Sequence, residues 1–506
     1  MRKARDAALA ERDDLRAQLN ATLASTASRS PKPAIKQTSF QEPLTSSGTQ
    51  RSASLQPIPS AKSSAPQSPP RVHRAKSAHE ADTTPLPAKP TAQQRRKSEP
   101  LPHRLLKAKD DAQKEEVAPD RELNAEQEDA LAKANAAAEA RERALSEVDA
   151  EARAPAVYGI AGQPYWTYFG GEHIDNLLEH TSLIDVQYLI DLAEGGGRVP
   201  KRQEIPEAAL ITPRTAWRLR LWAKAYSTAV FALSYAWLDW YHPDRLGVQL
   251  RMLLPVFRVL LAQATEFSPH ATVGVLWDYA CLPQKPFANQ AENDAFKTSL
   301  GAINEWYFHP FVTVLLATSS VDSRPGQKPY SNLRPHENRG WCFFEKQASM
   351  VTKDDNCLWD ISEYKGGTNV NECREQMKVG RSAPLDPVAF AEQMRSRVQL
   401  SEKDPNHLRF TSKADMDRVV EQYKAGFIAA FSRRAVAASG DRTIFYLNLG
   451  WDDAEGQRLL ASLKYAAENC AFAPDEPLSI QCFEGNSLSD EMKASLKDLK
   501  GQFLVE

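Results

Sequence analysis

Three short apolar runs limit what this chain can fold into. Ala229-Val230-Phe231-Ala232-Leu233-Ser234-Tyr235, Thr272–Asp278 (TVGVLWD) and Phe311–Ala317 (FVTVLLA) are each bounded by polar or turn residues. Runs this short and this continuously apolar read as strands buried on both faces. Segments of helical period lie between them. Leu246 to Ala264 carries Leu250, Leu253, Leu254, Phe257 and Leu261 on one side, with Pro255 expected to kink it. Asp294 to Tyr307 carries Phe296, Leu300, Ile303 and Tyr307. A third helix is expected over Asn338–Lys346, and Leu358-Trp359-Asp360-Ile361 reads as a fourth strand. Strands and helices in this alternation predict an α/β fold with a parallel sheet. Ligands of such sheets sit beyond the carboxyl ends of the strands. Those ends carry Ser234, Tyr235 and Trp237, then Asp278, Cys281 and Gln284, then Thr318 and Ser319.

The remaining sequence divides by composition. Its 506 residues suggest roughly three domain-sized pieces. Residues 1–24 are rich in Ala, Leu and charge and read as the end of a solvated or coiled helix, and their abrupt start suggests a truncated gene model or a fragment. Residues 25–110 are Ser/Pro/Lys-rich and nearly free of aromatics, so they cannot bury enough surface to offset chain entropy. A disordered basic tail is expected there. Ser77 and Ser98 follow basic residues (Arg74-Ala75-Lys76 and Arg95-Arg96-Lys97). Phosphate at either would add negative charge to a basic segment and create an adaptor site. Residues 111–153 turn to Ala, Glu and Arg and predict a polar helical spacer with Leu123, Leu131 and Leu145 as sparse anchors. The globular part starts near Pro155. Residues 155–227 form its N-terminal extension, with Tyr158, Tyr165, Trp166, Tyr168 and Phe169 and a short helix from Ile184 to Leu192 stopped by Gly195-Gly196-Gly197. Residues 228–362 hold the α/β pattern. Residues 363–440 read as an insertion followed by an amphipathic helix through Val419, Tyr423, Phe427 and Phe431. In 441–506, Leu447-Asn448-Leu449 aligns with Ile480-Gln481-Cys482, and Ala461-Ser462-Leu463-Lys464 with Ala494-Ser495-Leu496-Lys497. A strand and a helix recurring at about thirty residues are leucine-rich-repeat-like.

Composition narrows the function classes. A net charge of −2 predicts no bulk attraction to nucleic acid or to a membrane surface. Apolar runs interrupted by Arg, Gln or Pro argue against a transmembrane helix. No secretory h-region opens the sequence. None of the six cysteines forms a CxxC pair, so neither a zinc site nor a disulfide framework is indicated, and a cytoplasmic location with reduced thiols fits. The first strand is followed by neither GxGxxG nor GxxxxGK[ST], which disfavours an ordinary dinucleotide or P-loop site.

Three segments, in order, carry a family resemblance. Phe231-Ala232-Leu233-Ser234-Tyr235-Ala236-Trp237 resembles the "ALSYxW" opening of fungal heterokaryon-incompatibility (HET) domains. Leu276-Trp277-Asp278-Tyr279-Ala280-Cys281-Leu282-Pro283-Gln284 resembles their "WIDAxCINQ" strand end, with Pro283 in place of a polar residue. Arg339-Gly340-Trp341 followed by Glu345 resembles their "RGWxxxE" helix. HET domains are similar to TIR domains, and the resemblance implies a flavodoxin-like (TIR-like) sheet. In plant-type TIR domains a "WCxxE" segment carries the glutamate of the NAD-cleaving site, and Trp341-Cys342-Phe343-Phe344-Glu345 has that spacing.

The activity so implied is cleavage of the nicotinamide–ribose bond, with NAD as substrate and no required cofactor. Glu345 is the expected catalytic carboxylate. Trp341 shares its helical face and would shape its surroundings, Tyr235 or Trp237 would stack on a ring, and Asp278 would bind a ribose hydroxyl or cap a turn. Cys281 reads as a buried thiol rather than a nucleophile, and His242 as a turn residue. The competing reading is a non-catalytic signalling or defence module that binds other proteins through its repeat and tail and forms homo-oligomers. A third is an unrelated nucleotide- or sugar-binding enzyme.

Overall fold

The computed structural model describes residues 123–506, apart from 154–158, 161–162, 223–228, 322–327, 354, 411, 413, 437–441, 474–475 and 500. The helix expected over 1–24, the tail of 25–110, its two serines, and Tyr158 lie outside the described residues.

The apolar runs become the strands of one six-stranded sheet. In chain order these are β1 (Leu183–Asp185), β2 (Leu210–Ile211), β3 (Val230–Tyr235), β4 (Gly274–Leu276), β5 (Thr313–Ala317) and β6 (Leu358–Asp360). They lie side by side as β2-β1-β4-β3-β5-β6. The last four are parallel, with Val230 opposite Gly274, Tyr235 opposite Ala317 and Leu315 opposite Trp359. Strands β3 and β5 are buried along their whole length, which is why they read as unbroken apolar runs. Strands β1 and β2 add an antiparallel edge. Ile184, expected in a helix, belongs to β1, and the helix begins one residue after that strand.

The main helices in chain order are α1 (Ala125–Ser146), α2 (Gly171–Leu178), α3 (Val186–Glu194), α4 (Val248–Phe267), α5 (Gln290–Phe308), α6 (Gly340–Ala348), α7 (Val370–Met377), α8 (Pro387–Gln399), α9 (Ala414–Val436), α10 (Asp453–Asn469) and α11 (Asp490–Lys497). Helix α3 packs against both α1 and α4, and α9 packs against α5, α6 and α8. From β3 the chain crosses through α4 to β4 on one side, then through α5 to β5 on the other. Right-handed crossovers in opposite directions put the two helix groups on opposite faces of the sheet. The reversal makes the carboxyl end of β3 a topological switch point.

Helix α4 runs unbroken through Pro255 and buries Leu250, Leu253, Val256, Phe257, Leu260 and Ala264. By length and composition it could also cross a membrane. The Asp244 carboxylate holds its first turn, accepting from Val248 N at 2.7 Å and Leu250 N at 3.0 Å. Gly247 before it has φ 64°, and a Cβ there would stand 2.4 Å from Gly197 O, so only glycine fits.

Helix α1 is not a free spacer. Its buried stripe is Ala130, Ala134 and Ala138, whereas Leu131 and Leu145 are only half-buried. Small side chains bring its axis close to α3, and Gly195 completes the fit: a Cβ there would meet Ala130 Cβ at 2.9 Å. Gln127 donates to Arg245 O at 3.1 Å, Tyr188 donates to Asn135 at 2.9 Å, and Arg141 pairs with Asp191 at 2.6 Å.

Residues 443–505 add a parallel three-stranded sheet of β7 (Thr443–Phe445), β8 (Leu478–Gln481) and β9 (Phe503–Val505), in the order β9-β8-β7. Strand and helix recur as the repeat predicts, but the first strand lies upstream of Leu447-Asn448-Leu449, and Ile444 is the residue opposite Ile480. Asn448 has φ 57° and belongs to the turn after the strand. Asn486 stitches the two units, donating to Tyr446 O at 2.7 Å and Cys482 O at 2.9 Å and accepting from Leu449 N and Trp451 N at 3.1 Å. Trp451 donates to Arg381 O at 2.6 Å, and Tyr446 to Val351 O. One continuous hydrophobic core therefore runs from Ala134 to Val505.

If close alanine packing seats α1, Ala134→Leu overfills the contact and lowers stability by about 1–3 kcal/mol. Glu139→Leu on the exposed side stays within about 0.5 kcal/mol of wild type. Urea unfolding of the two variants measures both, and equal midpoints would contradict the seating.

Candidate functional site

Strand β3 ends in Ser234 and Tyr235, and both are buried. Ser234 is a buried hydroxyl in a largely apolar strand, so it has to find a partner inside the fold. Its Oγ lies 2.9 Å from His336 Nε2. Just past β4, Asp278 opens the short helical turn Asp278–Cys281. The Tyr235 hydroxyl donates to Asp278 Oδ1, and Tyr279 N donates to the same oxygen at 2.6 Å. The Trp237 indole N–H is a further donor to this carboxylate.

Helix α6 brings the second carboxyl. Its start is pinned by Arg339, whose guanidinium donates to Arg334 O at 2.8 Å, Asn332 O at 2.9 Å and Trp237 O. Gly340 follows because the Phe410 ring leaves no room for a Cβ, which would fall 2.1 Å from it. One turn on, Cys342 Sγ donates to Tyr235 O at 3.2 Å. The next turn delivers Glu345 beside the hydroxyls of Ser234 and Tyr307, within the field of Asp278. Tyr307, on α5, also donates to Leu233 O at 3.0 Å. Strand end, turn and two helices thus converge on a pair of carboxyls at the switch point.

Their environment makes both hold protons more tightly than in water. Glu345 and Asp278 are half-buried residues, and the protein packed around their carboxyls strips off hydration. Burial pushes the Glu345 carboxyl well above the usual carboxylate range. The negative charge of Asp278 adds to that, while the Ser234 and Tyr307 hydroxyls pull the other way. Burial also raises Asp278, against the donors Tyr235, Tyr279 N–H and Trp237. Two such groups in one site do not ionise independently. Asp278 has the richer set of donors and takes the negative charge first; Glu345 keeps the proton.

The other expected residues fall around this pair. Tyr235 stands edge-on to Trp277 at 5.4 Å between ring centroids, and Trp237 edge-on to Tyr279 at 5.6 Å. The Trp341 indole N–H meets Asp415 of α9 at 3.4 Å, and its ring stands edge-on to Phe344 at 6.0 Å between centroids. Cys281 is a buried thiol that donates to Val275 O at 3.5 Å, and burial pushes it up to about 12. His242 accepts from Asp244 N at 2.9 Å and is held well below its ordinary value by burial. Three groups at the pair were not named as site residues, although Ser234 was placed at a strand end. Ser234 could have been marked as the polar break in an apolar strand. Tyr307 read only as an apolar helix position. His336 sits in a loop with no periodic signal.

Among the described residues no group of three or more His, Cys, Asp or Glu side chains is arranged to hold a metal ion. No protein-family model, curated protein or solved structure matches this chain.

The raised Glu345 carboxyl has a consequence for stability. Its contribution is fully present below the unfolded value near 4.5 and is lost as pH rises through the higher folded value. Glu345→Gln stays neutral throughout. Thermal unfolding should therefore show the variant gaining on wild type as pH increases from 4 to 8 (roughly the window that opens above the unfolded value). A Tm difference independent of pH would contradict the burial assigned to this carboxyl.

Proposed function

We propose that residues 228–362 form a flavodoxin-like domain of the TIR/HET type that cleaves the nicotinamide–ribose bond of NAD, in a signalling or defence role. The observation that carries this reading is the Asp278–Glu345 pair at the switch point of the parallel sheet. The strand order of the parallel part, second-first-third-fourth, is compatible with a flavodoxin-like sheet.

The chemistry suits the pair. Nicotinamide in NAD is a cationic pyridinium and leaves as a neutral amine, so its departure needs no general acid. The ribose C1′–N bond breaks with its electrons moving to the ring nitrogen. What the site has to supply is negative charge beside the oxocarbenium-like ribose. Without a bound cation Glu345 holds a proton. A pyridinium cation beside it favours release of that proton and leaves the carboxylate the reaction needs. Water then adds to C1′ and passes its proton to Glu345. Asp278, held by Tyr235 and Tyr279, is placed to accept from a ribose hydroxyl, and Trp237 offers a half-exposed indole face for stacking.

One observation favours an assembly module instead. The polar groups around the pair already have partners within the fold: Tyr235 on Asp278, Ser234 on His336 and Tyr307 on Leu233 O. In that reading the cluster is an internal strut and the surface does the work by binding proteins or further copies of the chain.

Incubating the full chain with NAD and measuring free nicotinamide separates the two. The catalytic reading expects release that falls at least about 100-fold in Glu345→Gln, with the variant still folded. No release from folded protein at high concentration would overturn it and leave the assembly reading.

A further inference from the structure

Ser234 stands between two groups. Its Oγ is 2.9 Å from His336 Nε2, and its hydroxyl is the first of the groups that favour the charged form of the Glu345 carboxyl. Ser234 is 0 % exposed and His336 2 %, so bulk water does not compete for either. His336 lies on the short turn His336–Asn338, which runs directly into α6. That turn is fixed by Asn338 donating to Pro405 O at 2.6 Å and by the Arg339 guanidinium. Imidazole and carboxyl therefore come from one rigid corner.

The donor inventory gives this contact a direction. A serine hydroxyl has one proton to donate, a neutral imidazole has one N–H, and an ionised carboxylate only accepts. When Glu345 is charged, Ser234 has to turn its proton toward it. Ser234 then has only lone pairs left for His336, so Nε2 has to carry the hydrogen. Burial first, then Lys346, holds the ring down to about 4 against the pull of Asp360, which keeps the imidazole neutral.

We propose that His336 and Ser234 are positioning residues for Glu345, linked as His336 Nε2–H to Ser234 Oγ–H to the Glu345 carboxylate. The relay fixes the serine proton on the reactive carboxyl and favours its charged form. It rests on the reading of Glu345 as the reacting group, but it has a readout of its own.

The full chain is labelled with glutamate carrying 13C at its side-chain carboxyl, and the Glu345 signal is assigned by its loss in Glu345→Gln. Its titration is followed by NMR in wild type, Ser234→Ala, His336→Phe and His336→Gln. Removing a donor to a charged group should move the Glu345 titration up by about one to two pH units in Ser234→Ala and His336→Phe. His336→Gln keeps an amide N–H near the Nε2 position and should stay close to wild type. Nicotinamide release should fall roughly tenfold or more in the first two variants, through kcat rather than KM, and be retained in the third. A Glu345 titration unchanged in folded Ser234→Ala would overturn the relay. If His336→Phe fails to fold, Ser234→Ala alone decides. The shifts without nicotinamide release from any sample, wild type included, would uphold the relay and sink the NAD reading.

Discussion

Placing two buried carboxyls within each other's field at the end of a parallel sheet is the demand around which this site is built. Neither charge is favoured there, because each loses water and each repels the other. The fold offsets that cost with donors on Asp278, from Tyr235 and Tyr279 N–H, and with the Ser234 hydroxyl beside Glu345. Tyr235 is buried against Trp277, and Tyr307 is anchored on Leu233 O. The result is a pair in which Asp278 gives up its proton before Glu345, and Glu345 keeps its proton until something positive arrives.

The wider structure holds that pair in register. Arg339 ties the start of α6 to the chain that leaves β3, and Cys342 adds a second tie to Tyr235 O. Phe344 is fully buried between the rings of Phe308, Phe390 and Tyr423, which locks α6 against α5, α8 and α9. On the far side, Arg245 and Asp239 form a buried pair that fastens the loop at Ser331 over the same sheet end. Side-chain contacts to backbone carbonyls recur throughout.

Much of the sheet was legible because buried parallel strands leave continuous apolar runs and their crossover helices leave a helical period. Strands β3 to β6 and helices α4 to α6 follow from that contrast. Strands β1 and β2 do not, since two or three residues at an antiparallel edge carry no usable period, and Ile184 merged into the helix after it. Helix α1 misled in another way: its buried face is alanine, which favours helix without advertising burial. The C-terminal repeat was visible in its helices, where Leu463 and Leu496 are both buried. Its first strand was placed too late because Asn448 continues the chain in a turn. At the site, Tyr235, Asp278 and Glu345 could be gathered as strand-end and helix positions. The resemblance gave Trp341 the same neighbourhood, yet its indole serves α9. His336 reaches Ser234 only through a loop path that no pattern encodes.

The account turns on the two carboxyls acting as one titrating unit, and that can be read directly. In protein carrying Asp278→Asn the neighbouring negative charge is gone while the side chain keeps its shape. NMR of 13C-carboxyl glutamate should then show Glu345 losing its proton at a lower pH than in wild type. An unchanged Glu345 titration in the folded variant would contradict the coupling and with it the site described for this fold.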